Sequence, residues 1–356
     1  MNQQRPTVLI TGGAGFIGSN LVMHLLRDTD WHIVNLDALT YAGNLEGWGD
    51  YLTHPRHHFV QGNLTDASLL QHLLQTHQPR AVMHLAAESH VDRSIDGPSV
   101  FVQTNVCGTA VLLEQCLHYW QQLSTPAKRD FRLLHLSTDE VHGSLGPLDA
   151  PFCESTRYAP RSPYSATKAA ADHLVRAWHH TYGFPCIVAN ASNNYGPRQF
   201  PEKLIPLAIV KLMQGAPIPL YGDGSQIRDW LHVSDHCLAL TKILSHGTIG
   251  DSYIIGTGIE TTNLSLLRLL CEQMDEMHPR ADGNSYASAI TPVSDRPGHD
   301  HRYAIDATHL RRSLSWQPQT DLRQGLRETI AWYLAHPEWW QAILAHRYNM
   351  SRLGKS

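Results

Sequence analysis

The feature that most narrows the fold is a glycine-rich turn close to the N-terminus. Residues 7–11 (Thr-Val-Leu-Ile-Thr) form a short, apolar, β-branched run, and Gly12-Gly13-Ala14-Gly15-Phe16-Ile17-Gly18 follows it directly. Such a run suits a buried parallel strand. Phe16 to Leu26 then carries a helical pattern of apolar residues. Gly12, Gly15 and Gly18 give the spacing G-x-x-G-x-x-G. Glycine allows a tight turn and lets an anion approach the backbone, while the helix N-terminus offers free N–H groups and the positive end of its dipole. A second expected strand, 32–36, ends on Asp37. Strand, glycine loop, helix, strand and acid in that order make a dinucleotide-binding unit. The Asp37 carboxylate stands where it accepts from both ribose hydroxyls and repels a 2′-phosphate, so NAD is expected over NADP.

The alternation continues. Asp66 is an expected N-cap for a helix whose apolar face is Leu69, Leu70, Leu73 and Leu74. Further strands are expected at 81–85, 131–136 and 185–190, with long helices at about 98–121 and 162–182. The pattern implies a Rossmann-type α/β fold, a doubly wound parallel sheet with helices on both faces through right-handed crossovers. After about residue 192 proline and glycine become frequent, as in Gly196-Pro197, Pro217 and Pro219, and the elements lose their regular order. The expected organisation is an NAD-binding domain with the catalytic helix over 1–192, then a smaller substrate-binding lobe over 193–348, some of whose segments return to the first domain. Residues 349–356 are expected to form a tail.

Composition excludes several classes. With 42% hydrophobic and 17% charged residues and a net charge of −4 spread without blocks, the chain offers no basic tract for nucleic acid. No stretch approaches the roughly 20 apolar residues of a membrane span. The start, Met1 to Pro6, lacks a signal-peptide layout. Six cysteines lie far apart with no C-x-x-C, which suits a reducing cytoplasm. The 24 histidines show neither H-E-x-x-H nor finger spacing, so they are read as solvent-facing or hydrogen-bonded and no metal is expected.

Tyr164 and Lys168 lie four apart in a helical segment and so share one face. A free phenol titrates near ~10, and a neighbouring ammonium favours the phenolate. Tyr164 could then take a proton from a sugar hydroxyl while its carbon gives hydride to the nicotinamide. Ser137 and Thr138 end an upstream strand, where a hydroxyl can hold the substrate oxygen against the tyrosine. The adjacent carboxyls of Asp139 and Glu140 follow.

Together these residues resemble the extended short-chain dehydrogenase/reductase superfamily, and within it the dTDP-glucose 4,6-dehydratase family, from about residue 7 to about 335. The motifs that carry the resemblance are Thr-Tyr-Ala-Gly-Asn-Leu (40–45), His-Leu-Ala-Ala-Glu-Ser-His-Val-Asp-Arg-Ser (84–94), Ser-Thr-Asp-Glu-Val (137–141), Ser-Asn-Asn-Tyr-Gly-Pro (192–197), Phe-Pro-Glu-Lys-Leu-Ile-Pro (200–206), Gln-Ile-Arg-Asp-Trp (226–230) and Asp-Arg-Pro-Gly-His-Asp (295–300). The resemblance implies a lyase that oxidises C4 of a nucleotide sugar on a tightly bound, recycled NAD, eliminates water across C5 and C6, and returns the hydride to C6. It makes Asp139 the acid and Glu140 the base of the elimination, beside Thr138, Tyr164 and Lys168. For that role Asp139 must stay protonated near neutral pH, through burial and a nearby like charge. It implies cofactor contacts from Gly12, Gly15, Phe16, Ile17, Gly18, Asp37, Thr40, Asn63, Leu64, Ala86, Ala87, Thr104, Tyr164, Lys168 and Asn194. It implies substrate contacts from Ser89, Thr138, Asn193, Lys203, Leu204, Pro219, Leu220, Tyr221, Arg228, Asn263, Arg296 and His299.

Two positions depart from the pattern. Asn63 replaces the usual Asp near the adenine, and its amide oxygen is expected to accept from the adenine amino group. His142 replaces the usual Tyr and is expected to fill space beside Glu140. The resemblance also implies a homodimer through a four-helix bundle formed by helices 98–121 and 162–182, with Val106, Ala110, Leu113 and Leu117 compatible with that face or with the core. The alternatives are a UDP- or GDP-sugar dehydratase, a 4-epimerase or decarboxylase of the same superfamily, or a non-catalytic NAD-binding sensor. The Asp-Glu doublet argues against an epimerase. The retained set of Thr138, Asp139, Glu140, Tyr164 and Lys168 argues against a sensor.

Overall fold

The computed structural model of the chain describes residues 5–295, 299–348 and 350. Twelve strands are formed by the described residues: β1 (Thr7–Thr11), β2 (His32–Asp37), β3 (His57–Gln61), β4 (Ala81–His84), β5 (Arg132–Thr138), β6 (Cys186–Ala191), β7 (Asn193–Tyr195), β8 (Ile218–Tyr221), β9 (Ile227–His232), β10 (Ser252–Ile255), β11 (Glu260–Thr262) and β12 (Ile290–Val293). Seven make one sheet in the order β10-β6-β5-β4-β1-β2-β3, every neighbouring pair parallel. The order reverses between β1 and β4, which leaves a crevice outside their carboxyl ends. The expected doubly wound sheet is therefore present.

β4, β5 and β6 bury nearly every residue, as strands covered on both faces must. β3 was not among the expected strands. Its sequence, His-His-Phe-Val-Gln, sits at the sheet edge and stays half exposed, so it lacks the apolar run that marked the others. Asp66 does cap its helix, Ala67–His77, accepting from the Leu69 N–H at 3.0 Å.

One face of the sheet packs on Phe16–Asp28 and Val233–His246, with Leu310 and Trp316 closing the cluster. The other packs on Ala67–His77, Pro98–Gln122 and Pro163–Tyr182. A third cluster holds the smaller lobe, where Leu204–Met213, Asn263–Met277, Leu322–Ala335 and Pro337–His346 surround β8 and β9. Two small sheets complete it, β11-β9-β7 and β12-β8. β10 lies at the edge of the large sheet although it follows the lobe's first strands in sequence.

The Pro98–Gln122 helix differs from expectation in two ways. Val102–Gly108 is wound as a π-helix, which the apolar pattern did not signal. The helix is also long and apolar enough to cross a membrane by length and composition, whereas no such stretch was expected. Its Leu112, Leu113, Cys116 and Leu117 are buried in the core against the sheet, a commitment that a lipid-facing helix would not make. Leu113 and Leu117 are thus core residues and cannot form an outer face. Val106 and Ala110 are half-buried.

The glycine loop is packed without slack. A Cβ on Gly18 would lie 2.1 Å from the Gly12 carbonyl oxygen and 2.6 Å from Gly13 Cα. Gly12 has φ +76° and backbone of Ala86 against it, so glycine is required there too. We expect Gly18→Ala to destabilise the chain by about 1–3 kcal/mol, read as a lower denaturant midpoint at unchanged slope.

Candidate active site

The carboxyl ends of β1, β2, β4 and β5 open onto a cavity of about 240 Å³. Gly12, Gly15, Phe16, Ile17 and Gly18 line it from the loop after β1. Asp37 and Thr40 line it from the segment after β2, Asn63 and Leu64 from that after β3, and Ala86, Ala87 and Ser89 from that after β4. Thr104 enters from the π-helical segment, Tyr164 and Lys168 from the Pro163–Tyr182 helix, and Lys203 from the lobe. Every expected cofactor residue is there except Asn194. The Asn194 side chain is held between the Ser192 carbonyl and His236 Nδ1, and its backbone oxygen accepts from Gln199, which does line the cavity. The π-helical segment is held by contacts from distant parts of the chain. Asn105 is buried within it, accepting from the Glu88 N–H and donating to the Glu88 carbonyl and to Thr167, which fixes the wall that Thr104 shares.

These residues fit a dinucleotide. The Phe16–Asp28 helix begins at Gly15 with no side-chain cap, so its first N–H groups are left for an anion. Asp37 is buried, and each of its oxygens takes one backbone N–H, from Ala14 at 2.9 Å and Leu39 at 2.8 Å. One lone pair per oxygen remains. Burial raises its pKa, and the two N–H donors oppose that rise. Asn63 differs from expectation. Its side-chain oxygen already accepts from the Thr65 N–H and hydroxyl, both at 3.0 Å, so both lone pairs are taken and the oxygen is not available as the adenine acceptor.

The chemical end is built by β5 and the turn after it. Thr138 ends the strand and its hydroxyl accepts from the Glu140 N–H at 3.3 Å, starting one tight turn over Asp139–His142. Asp139 is 1% exposed and Oδ2 has no hydrogen-bond partner. Burial, then the charges of Glu140 and Asp229, push its pKa well above the usual aspartate range, which favours the protonated carboxyl. Glu140 is half-buried beside it. Burial first, then the Glu140 charge, raise the Tyr164 pKa, opposed by the Thr138 hydroxyl. The expected pull of Lys168 is outweighed. The lysine is buried, donates to the Leu136 carbonyl at 2.7 Å, and is pushed down to about 8 by burial, against the opposing charge of Asp172. His142 is buried between Phe152 and Tyr158, with Nδ1 against the Thr156 carbonyl, and so occupies space beside the turn.

The remaining expected substrate residues lie in the lobe but not in one group, and Arg228 is near enough to Asp139 to act on its charge. Pro219 and Tyr221 line another cavity, of about 280 Å³. Leu204 starts a helix at its side and Leu220 turns into the lobe core. His299 meets the Tyr221 ring and Asp295. Arg228 is buried, donates to the carbonyls of Ile227 and Asp300, and lies 4.2 Å from the Tyr303 ring centre. Asn193 and Asn263 each keep a buried side-chain oxygen without a partner. Arg296 lies outside the described residues. Sequence reasoning assigned no role to Glu202, whose side chain is 2% exposed, accepts from Tyr41 and Arg93, and lines both cavities. Its signal was a lone carboxylate inside the apolar motif of residues 200–206. Glu88, Gln199 and Phe200 also line the first cavity.

The chain matches the family model described as GDP-mannose 4,6 dehydratase over residues 9–329. It is 52% identical, over 98% of its own length and 99% of the relative's, to the dTDP-glucose 4,6-dehydratase of Xanthomonas campestris pv. campestris (strain B100). It is 49% identical to dTDP-glucose 4,6-dehydratase 1 of Escherichia coli (strain K12), over 96% of each. Among solved structures, the dTDP-glucose 4,6-dehydratase of Streptomyces venezuelae, determined with NAD bound, superimposes with a TM-score of 0.86 at 41% identity, covering 95% of this chain and 99% of that one. A UDP-glucose 4-epimerase of Thermotoga maritima superimposes with a TM-score of 0.80 at 25% identity, covering 93% and 99%.

The raised pKa of Asp139 has a consequence for stability. The folded chain keeps a proton that the unfolded chain releases above about pH 4, so stability falls as pH climbs from there toward the raised folded value. Asp139→Asn removes that loss. Its melting temperature is expected to exceed the parent's by about 2 °C or more at neutral pH, with the gap closing near pH 4, as followed by thermal unfolding across that range.

Proposed function

The chain belongs to the GDP-mannose 4,6 dehydratase family, within the extended short-chain dehydrogenase/reductase superfamily, and from that premise we propose that it converts dTDP-glucose to dTDP-4-keto-6-deoxyglucose with an NAD that is re-used in every turnover. The observation that carries the reading is the buried Asp139, its oxygen Oδ2 unpartnered and its pKa raised, next to Glu140 at the end of β5, where both carboxyls act on Tyr164. An epimerase needs only the second pair. A dehydratase needs a separate acid and base for the elimination.

NAD, when bound, supplies the hydride acceptor for C4, the donor for C6 and, oxidised, a positive charge in the cavity that Tyr164 lines, which favours the phenolate. Gly12, Gly15 and Gly18 would let its pyrophosphate onto the helix N-terminus, and Asp37 would take a ribose hydroxyl on each remaining lone pair. Thr138 steadies the C4 oxygen while Tyr164 removes its proton. The C4 ketone acidifies the C5 hydrogen, which Glu140 takes. Asp139 gives its proton to the C6 hydroxyl, which leaves as water, and C5 regains a proton as C6 takes the hydride. Two carboxyls in one turn differ in role because their burial differs.

Residues 1–192 mainly bind the cofactor and 193–348 mainly the nucleotide, with Pro219, Tyr221, Asn263, Arg228 and His299 around the nucleotide diphosphate. The outer faces of Pro98–Gln122 and Pro163–Tyr182, with Val100, Val102 and Cys107 on one and Ala166, His173 and Ala177 on the other exposed, form the homodimer contact. The six cysteines are all free thiols, which suits the reducing cytoplasm.

Purified protein incubated separately with dTDP-glucose and UDP-glucose should lose one water, by mass, from the dTDP sugar alone. Equal loss from both would remove the thymine preference, and loss from neither would overturn the reading. Glu140→Gln should slow turnover by about 10²–10⁴-fold while the near-ultraviolet absorbance of reduced nicotinamide accumulates, because oxidation precedes the blocked step. Unchanged turnover would exclude Glu140 as the base.

A further inference from the structure

Beneath the reacting groups lies a carboxylate to which the reaction as written gives no part. Asp172 continues the helix face of Tyr164 and Lys168 by one more turn, at i+8 and i+4 from them. It is fully buried and takes four hydrogen bonds. His135 Nε2 donates to Oδ1 at 3.0 Å. The Ser137 hydroxyl at 2.8 Å, the Tyr158 hydroxyl at 2.8 Å and Asn190 Nδ2 at 3.2 Å all donate to Oδ2. His135 and Ser137 alternate on one face of β5, and the residue between them, Leu136, gives its carbonyl to Lys168. Asn190, on β6, also donates to the Thr138 carbonyl at 3.1 Å.

We propose that Asp172 is a positioning residue for the reaction. It is a fixed anion that acts as the counter-charge of Lys168, and it ties β6 and the end of β5, from which Thr138, Asp139 and Glu140 project, to the helix that carries Tyr164. The proposal rests on the dehydratase reading for its kinetic part only.

A buried carboxylate persists as an anion only when donors replace the water it has lost. Burial alone would raise the Asp172 pKa, but His135, then Lys168 and Tyr158, carry it below the ordinary aspartate range. The same burial drives Lys168 down to about 8, and the Asp172 charge opposes the fall. The other titratable groups around the lysine do not serve in that role. His135 on β5 and His84 on β4 are held neutral by burial and by Lys168 itself. Tyr164 is a neutral phenol, and Asp139 a protonated acid, in this state. Glu140 acts on Tyr164 from the turn after β5. The Pro98–Gln122 helix brings only the neutral Thr109, against His84, and Asn105, against Thr167.

Asp172→Asn keeps the shape of the side chain and removes its charge. The lysine then loses its proton at lower pH, so the alkaline limb of the kcat/KM profile should move down by about one pH unit or more, with KM for the nucleotide sugar within about two-fold of the parent's. An unmoved limb overturns the proposal. A purely structural part for Asp172 would lower stability without moving that limb. Melting temperatures of the parent, Lys168→Met, Asp172→Asn and the double variant give a test that needs no activity. The double variant should melt above Asp172→Asn alone, because removing the uncompensated ammonium relieves the strain. If Asp172→Asn does not fold, the double variant should. A double variant no more stable than Asp172→Asn refutes the counter-charge. Should the parent dehydrate no nucleotide sugar, the dehydratase reading falls and the melting cycle still decides the counter-charge.

Discussion

All the chemistry of this chain depends on parallel strand pairing. When neighbouring strands run the same way, their carboxyl ends gather on one edge of the sheet, and the connections leaving that edge become neighbours however far apart they are in sequence. Here the edge collects the glycine loop after β1, Asp37 at the end of β2 and the Ala86–Ser89 segment after β4, with the Thr138–Glu140 corner at the end of β5 beside them. The Pro163–Tyr182 helix packs against β5 and presents Tyr164 and Lys168 to the same place. No single loop holds the site, and each contributes only what its strand end can reach.

Where local pattern and long-range contact agreed, the sequence was a good guide. The fully buried strands, the Asp66 cap and the glycine turn announce themselves because one segment contains all the relevant information. β3 escaped because an edge strand needs burial on neither face, and two histidines in five residues leave no apolar run. The π-helical turn at Val102–Gly108 escaped because its cause, the grip of Asn105 on Glu88 and Thr167, lies elsewhere in the chain. Leu113 and Leu117 could be assigned to a core or to an interface only once the sheet beneath them was placed. The free oxygen expected of Asn63 was already held by a residue two positions on.

The site concentrates ionisable groups in a buried place, and their differences in solvation set their chemistry. Asp139 and Asp172 are both fully buried aspartates near the end of β5. Asp139 has an unpartnered oxygen and holds a proton, whereas Asp172 has four donors and stays charged. The same residue type thus appears as an acid and as a permanent anion a short distance apart, and hydrogen-bond donors make the difference. Lys168 sits between these regimes, cationic only as far as its surroundings permit.

Glu202 belongs to both cavities, and among the described residues it is the one side chain that does. Its two oxygens are gripped by Tyr41 and Arg93, and Arg93 in turn lies 3.9 Å from the centre of the Tyr41 ring. It is a party wall. Two occupants on either side of it are thermodynamically linked to the extent that each shifts it. Whatever displaces the partition from one side changes the fit on the other by the same free energy in either direction. Occupancy of one cavity and occupancy of the other are in that sense coupled through a single carboxylate.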